Sequence, residues 1–164
     1  MAHTHDPLFD RRTVLVTMAL AMTASRSLAA ADTRPEVRIW KDPSCGCCGA
    51  WGDHLARAGF PIHVVEVADM TSVKHRLGVP GDLQSCHTAE VGKHVLEGHV
   101  PALAVVRLLA ERPDIRGLAV AGMPIGSPGM EVKGMAPDTY MVSAFMADGT
   151  VFDFMRFVGD APAG

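Results

Sequence analysis

Glu36 to Ala58 reads EVRIWKDPSCGCCGAWGDHLARA, and the rest of the chain is best read from this stretch. Val37-Arg38-Ile39-Trp40 has the β-branched and aromatic content of a strand. Pro43 marks a turn. From Gly49 to Ala58 the pattern is helical. Trp51, Leu55 and Ala58 fall at i, i+4 and i+7, which makes one buried stripe. Gly59 is placed to end that helix as its C′ residue. Three of the four cysteines, Cys45, Cys47 and Cys48, lie at the junction between strand and helix. Two thiols at such a turn would suffice for a redox pair. Three packed together look instead like a clamp for a soft metal ion.

Downstream, Pro61 to Val67 reads as a second strand, and Met70 to Leu77 as a short helix stopped by Gly78 and Pro80. The first two strands, joined through a helix, are expected to be parallel. Gly81 to Thr88 is polar and irregular. Ala89–Gly92 and His94–Glu97 read as two short strands around a tight turn. Pro101 suits the start of a helix over Ala102–Arg112, with Leu103, Val106 and Ala110 on one side. The resulting β-α-β-α-β-β-α order predicts an α/β fold of thioredoxin-like layout, a small mixed sheet with flanking helices. Residues 117–137 carry five glycines and three prolines. That composition argues against regular structure and predicts a long Gly/Pro/Met-rich loop holding Met123, Met130 and Met135. Asp148-Gly149 between two alternating runs predicts a C-terminal β-hairpin.

The first 31 residues read as an export signal peptide and are set aside from the fold. Arg11-Arg12 precedes an apolar run from Val14 to Ala24, and Ala29-Ala30-Ala31 fits a cleavage site. The run is far shorter than the ~20 residues needed to cross a bilayer, so no stable membrane span is expected. Arg11-Arg12-Thr13-Val14-Leu15 resembles a twin-arginine signal. The working protein is then residues 32–164, a single domain in the periplasm. The formal net charge is −3 at pH 7 and the chain has no basic block, so nucleic-acid binding is not expected. In an oxidising compartment four cysteines often form structural disulfides. Three within four positions cannot staple a domain, because bridges across so short a loop close almost no chain.

Cys45 and Cys48 begin a helix, where backbone N–H groups and the positive end of the dipole favour thiolate. Adjacent Cys47 and Cys48 cannot form a relaxed disulfide. Cys86 joins the other three if the segment entering the third strand lies against the turn. Thiolate and thioether donors select Cu(I), zinc or iron–sulfur clusters. The C-x-C-C spacing does not match the paired knuckles of structural zinc sites, nor the usual iron–sulfur spacings. Copper fits better beside a methionine-bearing loop, and zinc is the less favoured ion. The predicted metal ligands are therefore Cys45, Cys47, Cys48 and Cys86, with His87, Met123 and Met130 as further candidates. His94 and His99 flank the small hairpin as weaker candidates. His54, His63 and His75 read as surface residues, and Met141, Met146 and Met155 as core filling.

Several segments in chain order carry a resemblance. They are Trp40-Lys41-Asp42-Pro43-Ser44-Cys45-Gly46-Cys47-Cys48-Gly49, Leu77-Gly78-Val79-Pro80, Ser85-Cys86-His87-Thr88-Ala89, Glu97-Gly98-His99-Val100-Pro101-Ala102 and Gly122-Met123-Pro124-Ile125-Gly126-Ser127-Pro128-Gly129-Met130-Glu131. Together they resemble the CopG-like family of bacterial periplasmic copper-resistance proteins, long catalogued as a metal-binding domain of unknown function. The likeness runs over about residues 36–157. It implies a thioredoxin-like fold and a cysteine-bridged multinuclear copper cluster. It also implies a role in copper handling that extends to interconverting Cu(I) and Cu(II), alongside other periplasmic copper-handling proteins. Carried over, Cys45, Cys47, Cys48 and Cys86 are the sulfur ligands.

Two other functions compete. A thiol–disulfide oxidoreductase would use Cys45 and Cys48, although Cys47 between them would trap mixed disulfides. A zinc-stabilised structural module would unfold on chelation.

Overall fold

A computed structural model describes residues 34–163. The expected signal peptide lies outside them. The described chain is mixed α/β: three α-helices and one sheet of eight strands. The strands are β1 (Val37–Lys41), β2 (Ile62–Glu66), β3 (His87–Val91), β4 (His94–Glu97), β5 (Gly117–Ala119), β6 (Thr139–Phe145), β7 (Val151–Val158) and β8 (Ala161–Ala163). The helices are α1 (Gly46–Arg57), α2 (Met70–Leu77) and α3 (Ala102–Glu111). The sheet order is β2-β1-β3-β4-β5-β6-β7-β8. β1/β2 and β4/β5 are parallel, and the other neighbours are antiparallel. Among the described residues no helix is long and apolar enough to cross a membrane.

Side chains alternate across the strands, so the sheet buries both faces. Val37 and Ile39 of β1 and Leu96 of β4 pack with Trp51 and Leu55 of α1 and Val105 and Leu108 of α3. Trp40 of β1 and Val95 of β4 enter a second cluster with Val73 and Leu77 of α2 and Phe145 of β6.

Four local expectations are corrected. α1 begins at Gly46, not Gly49, because the preceding turn closes early. Ser44 N–H and Oγ–H both donate to Asp42 Oδ1, and Cys45 N–H donates to the Asp42 carbonyl at 3.0 Å. An Asx-type turn of this kind leaves no spacer before the helix. β3 starts at His87, inside the stretch read as irregular. The buried face of α3 is Ala102, Ala104, Val105 and Leu108, while Leu103 is 46% exposed. The apolar content of that helix runs nearly all round, so spacing alone could not choose the face.

The fourth correction concerns residues 117–137, which are not all loop. Gly117–Ala119 forms β5 in the sheet interior. Glycine is used there for close approach. A Cβ at Gly117 would collide with the Val95 carbonyl oxygen and the Phe145 ring. The rest of the segment is held by its own turns. Ser127 N–H and Oγ–H donate to the Pro124 carbonyl, Met130 N–H to that of Ser127, and Gly126 N–H to that of Met130.

Candidate metal centre

The β1/β3 register builds the site. Lys41 pairs with His87 and Trp40 with Thr88, so the residue before β3, Cys86, stands opposite the turn leaving β1. Cys45 is the N-cap residue of α1, and its side chain makes no cap bond. Cys47 and Cys48 follow in the first turn. Cys48 is buried, and Cys45, Cys47 and Cys86 are half-buried.

The four sulfurs converge. Cys45 and Cys47 Sγ lie 3.6 Å apart, Cys48 and Cys86 3.7 Å, and Cys47 and Cys86 3.9 Å. Four thiolates at ~2.3 Å around one tetrahedral ion would be separated by about 3.8 Å, so these three separations suit a thiophilic ion. Cys45 and Cys48 are joined as a disulfide, and Cys47 and Cys86 are free. Burial pushes the Cys86 thiol up to about 12, and the adjacent Cys47 acts in the same direction. Cys86 is thus a thiol until a cation displaces its proton.

Two imidazoles close the other side. Cys86 Sγ lies 3.2 Å from His87 Nδ1 and 3.2 Å from His99 Nε2. Their ligand atoms, with Cys86 Sγ, all fall within 4.8 Å of one another. His87 is fully buried, with its ring 4.4 Å from that of Trp51, and its Nε2 has no hydrogen-bond partner. Burial holds the pKa of His87 well below the ordinary histidine value. Burial also lowers that of His99, against the opposing pull of its bond to Pro128. Both rings are therefore neutral near pH 7, the form that donates a lone pair.

A buried polar frame fixes this side. Glu97 is fully buried and pairs with Lys74. It also accepts from Thr88 Oγ1 at 2.6 Å and from the Ser85 N–H at 2.6 Å. The last bond pins the residue before Cys86. Gly98, at φ 69°, lets β4 turn back, and a Cβ there would strike the Val120 carbonyl and Ser85.

The methionine loop lies over the cluster. Gly129 packs so closely on α1 that a Cβ would meet the Trp51 nitrogen and the Cys47 carbonyl. Met130 beside it is half-buried. Gly122, next to Met123, accepts from Ser85 Oγ. Met123 itself is 54% exposed and Met135 53%.

The structure thus brings together Cys45, Cys47, Cys48, Cys86 and His87, and places the backbone flanking Met130 and Met123 beside them. His99 joins the group although the sequence singled it out only weakly. The available signal was its place two residues after the strand that pairs with β3. His94 is turned away and bonds the Ile115 carbonyl through Nδ1 at 3.1 Å. His54 is not a surface residue. Its Nε2 accepts from the Ala102 N–H at 3.0 Å, at the start of α3. His63 and His75 are exposed.

Fold and donor set together define a mixed α/β protein organised around a cysteine–histidine cluster of metal-ligand spacing. A family model described as "Protein of unknown function, DUF411" matches residues 83–130, the span that holds Cys86, His87, His99, Met123 and Met130. Among solved structures the chain is similar to "Copper resistance protein copG" in Form 1. It has 40% identity and a TM-score of 0.71, over 77% of this chain and 99% of that one. Form 2 of the same protein aligns with 40% identity and a TM-score of 0.71, over 76% and 98%. No curated protein sequence matches. The chain belongs to the CopG copper-resistance family.

Proposed function

We propose that the protein is a periplasmic copper-binding protein of copper resistance. It holds Cu(I)/Cu(II) in a cysteine-bridged multinuclear site made by Cys45, Cys47, Cys48 and Cys86, with His87, Met123 and Met130 as candidate additional ligands. The observation that carries this reading is the convergence of four sulfurs, with the Cys45–Cys47, Cys48–Cys86 and Cys47–Cys86 pairs 3.6–3.9 Å apart, in a chain 40% identical to a copper resistance protein. Once a thiol reductant opens the Cys45–Cys48 bond, the four sulfurs can bridge ions as thiolates, so few ligands can serve several coppers. Zinc would accept the same geometry, and the family resemblance favours copper. The β1-α1-β2-α2-β3-β4-α3 order, with sheet order β2-β1-β3-β4, supports a thioredoxin-like core that β5–β8 extend. Residues 1–31 act as a signal peptide, a reading that rests on their sequence alone. Copper is the cargo here, and interconversion of its two oxidation states is the activity the donor set would support.

One observation favours a second reading. The Cys45–Cys48 disulfide is the pair a thiol–disulfide oxidoreductase would use. Elemental analysis of protein 32–164 from a periplasm supplied with both copper and zinc separates the two, with free thiols counted on the same sample. More than one copper per chain, with thiols shielded until chelation, is the expected result. Absence of copper, with a reducible Cys45–Cys48 bond, would transfer the assignment to the oxidoreductase.

A further inference from the structure

Cys86 belongs to two donor groups at once. One is the four-sulfur group, and the other is Cys86 with His87 and His99. The second group does not use the sulfurs of Cys45 and Cys48, and so is intact while those two are joined. Resting on the reading of the cluster as a metal centre, we infer that Cys86, His87 and His99 form a distinct sulfur–nitrogen subsite for a borderline divalent cation, Cu(II) or Zn(II). This subsite shares the Cys86 sulfur with the thiolate face and survives oxidation of the thiolate face.

Three observations carry the inference. A tetrahedral ion at ~2.3 Å from sulfur and ~2.0–2.1 Å from nitrogen would hold those atoms about 3.5 Å apart. Both sulfur–nitrogen separations here are 3.2 Å, so a small outward shift admits an ion. His99 is oriented as ligating histidines are. Its Nδ1–H donates to the Pro128 carbonyl at 2.8 Å, which leaves the Nε2 lone pair facing Cys86. His87 turns Nδ1 toward the same sulfur from a ring that is fully buried and packed on Trp51, so its direction is fixed. Imidazole suits Cu(II) and Zn(II), whereas the all-sulfur face suits Cu(I). The two faces therefore sort ions by softness across one shared sulfur. Three protein donors leave a fourth position open for water or an incoming ligand.

The test uses the exported protein in its disulfide form, titrated without oxygen with cobalt(II) chloride, a redox-inert probe. The expected result is about one cobalt per chain, with tetrahedral ligand-field bands and a thiolate-to-cobalt charge-transfer band. Cys86→Ser should lose the charge-transfer band, and His99→Ala should weaken binding more than about tenfold. Undiminished binding by His99→Ala overturns the inference. Should that variant fail to fold, ¹⁵N spectra of the unmutated protein with zinc(II) decide the matter. Ring nitrogens of His87 and His99 that move on loading support the subsite, and nitrogens that stay in place overturn it. If reduced protein binds copper but the disulfide form binds no cobalt, only the subsite fails. If reduced protein binds no copper either, the copper-binding reading fails first.

Discussion

The α1 side of the cluster presents three sulfurs from one turn, two of them half-buried, with no side chain capping the helix. The β3–β4 side presents one sulfur and two imidazoles from a frame in which Ser85, Thr88, Lys74 and Glu97 are bonded to one another. The first side is local in sequence and lightly supported. The second is assembled from segments far apart in sequence and locked by a buried ion pair that spans 23 residues. The difference suggests a division of labour. The turn can open and close with oxidation, while the opposite wall keeps its geometry and sets where an ion sits.

The largest effect should come from breaking the wall. Glu97→Ala leaves Lys74 buried without its partner, which costs about 3–5 kcal/mol. Urea denaturation measures it, and a loss below about 1 kcal/mol would mean that the wall is no better locked than the turn. Trp51→Phe removes the donor to the buried Val100 carbonyl, a 2.9 Å bond beneath the site. The expected destabilisation is about 1–3 kcal/mol by the same method.

Acid should also act on the wall. Burial is the leading cause of lowered pKa values at His87 and His99 in the wall, and at His54 and His94 outside it, so the unfolded chain takes up protons that the folded chain refuses. Stability is then full above the unfolded value of about 6.5 and declines as pH falls from there toward the folded values. A thermal-denaturation series across that window checks the sign. A midpoint that rises on acidification would contradict it.

The turn should behave in the opposite way. Cys47→Ser is expected to lower copper stoichiometry while changing apo stability by less than about 1 kcal/mol. Elemental analysis and urea denaturation of the same variant read both quantities, and unchanged stoichiometry counts strongly against Cys47 as a ligand. The smallest effect belongs to the exposed Met123. Met123→Leu should leave stability within ~0.5 kcal/mol, so any fall in bound copper would report a thioether ligand.

The same contrast explains what could be read in the sequence. Cys45, Cys47 and Cys48 announce themselves by proximity, and turn residues around them fix a strand and a helix. The mixed α/β class follows from that unit and the strands and helices read after it. Cys86 could be placed only by supposing the third strand, and the Lys41–His87 register is what brings it to the turn. His99 was weakly marked because its position depends on how β4 turns at Gly98 and on the Pro128 carbonyl, 29 residues away. β5 was missed because its glycine, which signals a loop by composition, is there to let two backbones touch. The buried face of α3 was misassigned because an almost wholly apolar helix gives periodicity nothing to select.

β5 also matters to how the molecule would come apart. It is three residues long, and in the sheet it alone stitches β2-β1-β3-β4 to β6-β7-β8. Pulled or heated, the sheet has its natural fracture line there. Ala119 pairs with Glu97, and the Val120 N–H donates to the Glu97 carbonyl just beyond the strand. A crack opening along that seam would reach the metal-site wall before it reached either outer edge of the sheet, so the tear resistance of three residues bounds how long the site keeps its shape.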